Sequence, residues 1–150
     1  MQVVAYFLSR RETDADSNRF LAAVVPQLVD RLEREPPQAV FDEFLGLWRD
    51  ASEKVTAEGR HLLLVVDGLD EDLCPDGSPS VAARLPAAAG GCAHVLVSSR
   101  PHFELPPDVE ADHPLWSTRR TRIVPFEGAE QLAMLARQEI DELKDRRERR

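Results

Sequence analysis

The chain has little of what disulfide-stabilised, secreted or membrane-spanning proteins depend on. Cys74 and Cys92 are the only cysteines in 150 residues, too few for a disulfide framework, so we expect reduced thiols. No apolar run approaches the ~18 residues of a membrane helix. No charged leader precedes an apolar segment with a small-residue cleavage site. We therefore expect a cytoplasmic protein with no membrane partner.

Positive charge is also in short supply. The 27 acidic residues outnumber the 19 basic ones, which gives a formal net charge of -8. Nucleic-acid binding depends on clustered positive charge, so this balance argues against nucleic acid as a partner. Hydrophobic residues make up 43% of the sequence. That content and length are enough for the core of a single domain over residues 1–150.

The sequence lacks a phosphate-binding loop of the form G-x-x-x-x-G-K-[ST]. Its only lysines, Lys54 and Lys144, do not follow glycines. The N–H groups of such a loop, and the dipole of the helix after it, provide much of the affinity for phosphate. A zinc site is not predicted either. Cys92 and His94 form C-x-H, but structural zinc requires four ligands at close, paired spacings.

The most informative segment present is LLLVVDGLDED at residues 62–72. Five apolar residues that run straight into acids are typical of a strand covered on both faces of a parallel sheet. In open α/β sheets, ligands bind outside the carboxyl ends of such strands, which is where these acids would lie. The alternative is a core strand that simply meets a solvated loop.

Strands and helices alternate along the rest of the chain. Further strands are predicted at residues 3–8, 94–99 and 122–126. Helices are predicted at 20–32, 40–55, 81–85 and 129–143. In the first helix, Asp16 or Ser17 is the expected N-cap, and Pro26 is expected to kink or restart it. Because helices separate the strands, the expected fold is an α/β three-layer sandwich with a mainly parallel sheet.

Two motifs resemble those of a known family. LLLVVDGLDED resembles the Walker B motif of NACHT-type signal-transduction NTPases of the STAND class, in which an apolar strand leads into Asp-Gly-x-Asp-Glu. VLVSSRP, at residues 95–101, resembles their sensor strand, which ends in Ser-Arg-Pro. The opening VVAYFLSR and the loop PHFELPPDVEADHPL are similar to bacterial members. The resemblance therefore covers nearly the whole chain.

The resemblance implies a role for each matching residue. Asp67 would hold Mg²⁺, in keeping with an ion that retains several waters and few carboxylates. Asp70 and Glu71 would polarise the attacking water. Arg100 would approach the terminal phosphate of ATP or GTP, since a guanidinium matches phosphate oxygens. Gly68, the fifth residue of this nucleotide site, would allow a sharp turn after Asp67.

The sequence lacks the phosphate loop that the family uses to bind nucleotide. The resemblance implies a P-loop NTPase-like core without its first strand and phosphate loop, ending in the final helix and charged tail at 127–150. The absent strand would lie between the one ending at Ser99 and the one beginning near Arg122. The expected function is a nucleotide-dependent signalling switch that binds nucleotide weakly or not at all by itself and does not hydrolyse it. Its expected partner is the missing N-terminal NTPase segment or another protein domain.

Two other functions remain open from the sequence. The chain is alternatively a non-catalytic interaction module that uses an exposed sheet edge or the loop around Trp116. It is alternatively a receiver-like domain with Asp67 or Asp70 as phosphoacceptor, although no lysine follows the later strand.

Overall fold

The computed structural model describes residues 1–9, 15–35, 40–75, 77–88, 90–101 and 103–117, with only the backbone at 40–42. Three strands lie in these ranges: β1 (Gln2–Phe7), β2 (Leu62–Asp67) and β3 (Ala93–Val97). The helices are α1 (Ser17–Leu32), α2 (Val40–Ala57) and α3 (Val81–Arg84), with 3₁₀ turns at Leu69–Glu71 and Pro114–Trp116. The chain divides into two compact units, Met1–Thr118 and Arg119–Arg150. The strand predicted at 122–126, the last helix and the charged tail lie outside the described residues.

The sheet is parallel throughout and has the order β1-β2-β3. In its register, Val4 pairs with Leu64 and Leu64 pairs with Val95, so the apolar β2 is the central strand. The α1 and α2 helices connect β1 to β2, and α3 lies between β2 and β3. The predicted α/β class with a parallel sheet is therefore confirmed. The strand boundaries shift by one or two residues: β1 is 2–7 and β3 is 93–97.

Helix α1 confirms the predicted N-cap but not a restart at proline. Oδ1 of Asp16 accepts hydrogen bonds from the N–H groups of Asn18 at 2.8 Å and Arg19 at 2.9 Å. The helix is unbroken through Pro26. A proline inside a helix costs about 3 kcal/mol. We attribute the continuity to the apolar face of α1, where Phe20 and Leu28 are completely buried.

One face of the sheet forms the core together with the helices. Its side chains include Val4, Leu62, Leu64 and Val66, all completely buried. The register places the alternate residues on the opposite face. There Val3, Phe7 and Leu96 are 38%, 66% and 57% exposed within the described part of the chain. The second helical layer of the predicted sandwich thus remains a prediction.

The two edges of the sheet differ. At β1, the side-chain amide of Gln27 accepts a hydrogen bond from the Ala5 N–H at 3.1 Å and donates one to the Ala5 carbonyl at 3.0 Å. Arg31 donates to the carbonyl of Val3. Helix α1 therefore provides partners for three backbone groups on the outer edge of β1.

The outer edge of β3 has no such cover among the residues that the structure describes. The Leu62 N–H donates to the Cys92 carbonyl and the Ser98 N–H to the Val66 carbonyl, each at 3.0 Å. Since backbone groups alternate along a strand, those of Val95 and Val97 point away from β2. Within the described ranges, the N–H and C=O groups of these two valines have no hydrogen-bond partner, and we refer to them as the open edge of β3.

A polar cluster anchors the segment after β3 to α3. Ser80, which is fully buried, donates its N–H and its hydroxyl to the Asp108 carboxylate at 2.7 and 2.8 Å. Asp72 accepts from the Val81 N–H at 2.7 Å. Burial raises the pKa of Asp72 from its ordinary 3.8; the N–H groups of Val81 and Cys74 oppose this, and the charge of Asp108 adds to it. Asp72 is partly buried, and its role here is structural.

None of the helices in the described ranges combines the length and hydropathy that a membrane span requires.

Candidate functional site

The carboxyl ends of β2 and β3 bring the predicted site residues to one edge of the sheet. Asp67 is the last residue of β2 and is exposed. Arg100 follows the end of β3 by three residues. Because the two strands are parallel neighbours, both residues emerge on the same side of the molecule. This is the location that open α/β sheets use to bind ligands.

Gly68 makes the turn that leads from β2 into the acids. Its φ is +79°, in the left-handed region that favours glycine. A Cβ atom at this position would lie 3.0 Å from the carbonyl oxygen of Leu8. The sharp turn expected at Gly68 is therefore confirmed, and its backbone packs tightly against the chain that leaves β1.

Hydrogen bonds connect the ends of all three strands around this turn. The Leu8 N–H donates to the carbonyl of Asp67, and the Leu69 N–H donates to the carbonyl of Ser98, each at 2.9 Å. The 3₁₀ turn Leu69–Glu71 follows at once, and Leu69 is buried in the core. The backbone that presents Asp70 and Glu71 is consequently held on both sides.

Arg100 contacts both of the predicted catalytic acids. Its backbone N–H donates to Oδ1 of Asp70 at 2.9 Å. Its guanidinium lies 3.3 Å from Oδ2 of Asp70 through Nε and 2.7 Å from Oε1 of Glu71 through Nη2. The Arg100 side chain is 69% exposed, whereas those of Asp70 and Glu71 are 12% and 24% exposed. The arginine thus covers two carboxylates while remaining accessible to solvent.

Ser98 is a site residue that the sequence interpretation missed. Its hydroxyl donates to Oδ1 of Asp67 and accepts from the N–H of Gly68, the latter at 3.0 Å. Ser98 therefore fixes the orientation of Asp67 from the neighbouring strand. The available signal was the serine that ends the apolar run VLV, directly beside the carboxyl end of β2.

The environment of Asp67 is compatible with a hydrated magnesium ion. Ser98 holds Oδ1, while Oδ2 has no protein partner among the described residues. Mg²⁺ usually keeps several waters and takes one or two carboxylates. Across the described ranges, no three His, Cys, Asp or Glu side chains form a metal-binding group. From the part of the chain that the structure describes, Asp67 is the carboxylate that would hold a magnesium ion here.

Comparison with known proteins gives no match: no family model, no curated protein and no solved structure matches this chain. The geometry of the site and the motifs LLLVVDGLDED and VLVSSRP are therefore the basis for its function.

Proposed function

We propose that this chain is the Walker B and sensor part of a NACHT-type nucleotide switch. Asp67, Asp70, Glu71 and Arg100 would contribute to a site for magnesium-bound ATP or GTP. The observation that carries this proposal is the meeting of an exposed aspartate, two further carboxylates and an arginine at the carboxyl ends of two adjacent parallel strands. Phosphoryl chemistry relies on such positioned charges rather than on covalent protein chemistry.

The contacts of Arg100 suggest how a terminal phosphate would be sensed. The guanidinium is mostly in water, so its pairs with Asp70 and Glu71 contribute little stability. A terminal phosphate offers a higher negative charge and matching oxygen geometry. It would draw Arg100 away from Glu71, whose carboxylate would then face the attacking water without the guanidinium on it. A nucleoside diphosphate would leave the pairs in place.

The phosphate loop of the proposed switch lies outside these 150 residues. The open edge of β3 at Val95 and Val97 supports the addition of a strand there, because unpaired N–H and C=O groups are a template for another strand. The proposed partner is the NTPase segment that carries the loop, or another protein domain. Of the two outcomes expected for the chain alone, weak binding or none, we propose weak binding without hydrolysis.

A titration of the ¹⁵N-labelled chain with ATP and Mg²⁺, followed by NMR at millimolar nucleotide, tests this proposal. We expect shifts at the amides of Gly68, Ser98 and Arg100 that require Mg²⁺ and are smaller with ADP. Asp67→Asn should abolish them. The matched control, Asp112→Asn, removes an exposed carboxylate outside the site and should preserve them. Absence of magnesium-dependent shifts at these amides would exclude the nucleotide-switch proposal.

A second candidate function is a non-catalytic interaction module, favoured by the open edge of β3 and the exposure of Leu96. Its partner would be a strand of a larger signalling protein. Hydrogen exchange distinguishes the two functions: the amides of Val95 and Val97 would become protected in the complex, while nucleotide would shift no amide at the strand ends.

A further inference from the structure

Two histidines meet at the end of the sheet opposite the candidate site. Nδ1 of His61 lies 3.3 Å from Nε2 of His94, and the ring planes differ by 21°. His61 directly precedes β2, and Asp67 is the last residue of that strand. At about 3.3 Å per residue, the pair is roughly 20 Å along the strand from Asp67. The histidine pair is therefore separate from the candidate nucleotide site.

The register explains why the two rings meet. His94 pairs with Leu63 across the β2–β3 ladder. Because side chains alternate along a strand, His61 projects from the same face of the sheet as Leu63, and so does His94. Both histidines are exposed, on the face that the core does not use. Small rotations of both rings are consequently open to them.

The backbone beneath both rings is held in place. The carbonyl of His61 accepts from the Gln2 N–H at 2.7 Å. On β3, the Cys92 N–H donates to the hydroxyl of Thr56 at 3.1 Å, and the Ala93 N–H donates to the carbonyl of Gly90 at 3.0 Å. Because this backbone is already held in place, the two histidines would lose less conformational freedom on binding an ion.

We propose that His61 and His94 form a bidentate site for a divalent transition-metal ion, with Zn²⁺ as the reference ion. Neutral imidazole is the commonest protein ligand for such ions. With Zn–N bonds of about 2.0–2.1 Å in a tetrahedron, two nitrogen ligands lie about 3.3–3.4 Å apart. The separation of the two ring nitrogens already has this value.

Metal binding requires only a change of tautomer and a rotation of the rings. A proton on Nδ1 of His61 or on Nε2 of His94 would move, through solvent, to the other nitrogen of its ring, so that both lone pairs face the ion. Waters complete the coordination. The neighbouring Arg60 is paired with Glu58, which reduces its repulsion of a cation. This two-ligand, open site differs from the four-ligand structural zinc site that the sequence argues against.

Calorimetric titration of the tag-free full chain with Zn²⁺ tests the site. We expect one ion per chain and a loss of affinity of at least tenfold, taken as the threshold for losing one of two ligands, in both His61→Gln and His94→Gln. The double variant should bind little more weakly than either single one, because a chelate is lost with its first ligand. His102→Gln, which leaves the pair intact, is the matched control and should bind normally.

Two further measurements separate this site from other zinc ligands. In ¹⁵N spectra of the rings, Zn²⁺ should shift Nδ1 of His61 and Nε2 of His94. The variant Cys74→Ser/Cys92→Ser should retain the binding. The proposal is overturned if neither histidine variant changes the zinc affinity, if no saturable binding occurs, or if the thiol-free variant loses the ion while the histidine variants keep it.

Discussion

Replacing Gly68 with alanine tests the turn that delivers the acids to the candidate site. At φ +79° an L-residue costs about 1–2 kcal/mol relative to glycine. The new Cβ would also lie 3.0 Å from the Leu8 carbonyl oxygen. Leu8 must then move, which weakens the hydrogen bond from its N–H to Asp67, worth about 0.5–1.5 kcal/mol. We expect the free energy of unfolding to fall by about 2–3 kcal/mol.

Gly59→Ala is the matched control, because Gly59 has a φ of +64° and its added Cβ would meet no atom within 4 Å. It should lose only the conformational part, about 1–2 kcal/mol. Urea denaturation measures both variants. With a slope of about 2 kcal/mol/M, the midpoint of Gly68→Ala should lie roughly 0.5 M below that of Gly59→Ala. Equal midpoints, or a lower one for Gly59→Ala, would refute the close contact with Leu8.

Three other variants test the contacts around the sheet. Ser80→Ala removes a buried hydroxyl that caps α3 and binds Asp108. Urea denaturation should show a free energy of unfolding lower by about 1–3 kcal/mol, and a decrease under about 0.5 kcal/mol would contradict these contacts. Gln27→Ala leaves both backbone groups of Ala5 without side-chain partners. It should cost about 1–2 kcal/mol and increase self-association, whereas a sedimentation coefficient equal to that of the wild type would argue against edge protection. For Asp72, whose pKa is raised mainly by burial, the folded state binds its proton more tightly, so this group contributes stability below pH 3.8 that is lost as the pH rises through the raised pKa. As the pH rises through this pKa, the urea midpoint of the wild type should fall relative to that of Asp72→Asn. Parallel pH profiles of the two proteins would contradict a raised pKa for Asp72.

The sequence predicted the strands better than their ends. The five apolar residues at 62–66 predict a buried strand, and β2 spans Leu62–Asp67. The end of β3 was placed two residues too late. Ser98 still donates its N–H to β2, but its hydroxyl turns to Asp67 and Gly68. That preference depends on a neighbour 31 positions away in the sequence, which local patterns do not contain.

Of the kink or restart expected at Pro26, the restart was wrong, because α1 is unbroken through the proline; the kink stays a prediction. The local cost of proline is offset by the burial of Phe20, Val24 and Leu28 on a helix that contacts both α2 and β1. At the site, the resemblance to the Walker B and sensor strands was the basis for expecting Asp67 and Arg100 to lie near one nucleotide. The choice of Asp70 and Glu71 as partners of Arg100 depends on side-chain rotamers and on the left-handed turn at Gly68, which only the folded backbone determines.

The unequal edges of the sheet limit how copies of this chain would assemble. Among the residues that the structure describes, Gln27 and Arg31 occupy part of the β1 side, so β3 is the more accessible side for a second molecule to hydrogen-bond. Head-to-tail stacking of sheets into a filament needs two such sites on every subunit. Within the described part of the chain, backbone pairing of two copies is therefore expected at β3, where it would form a twofold dimer.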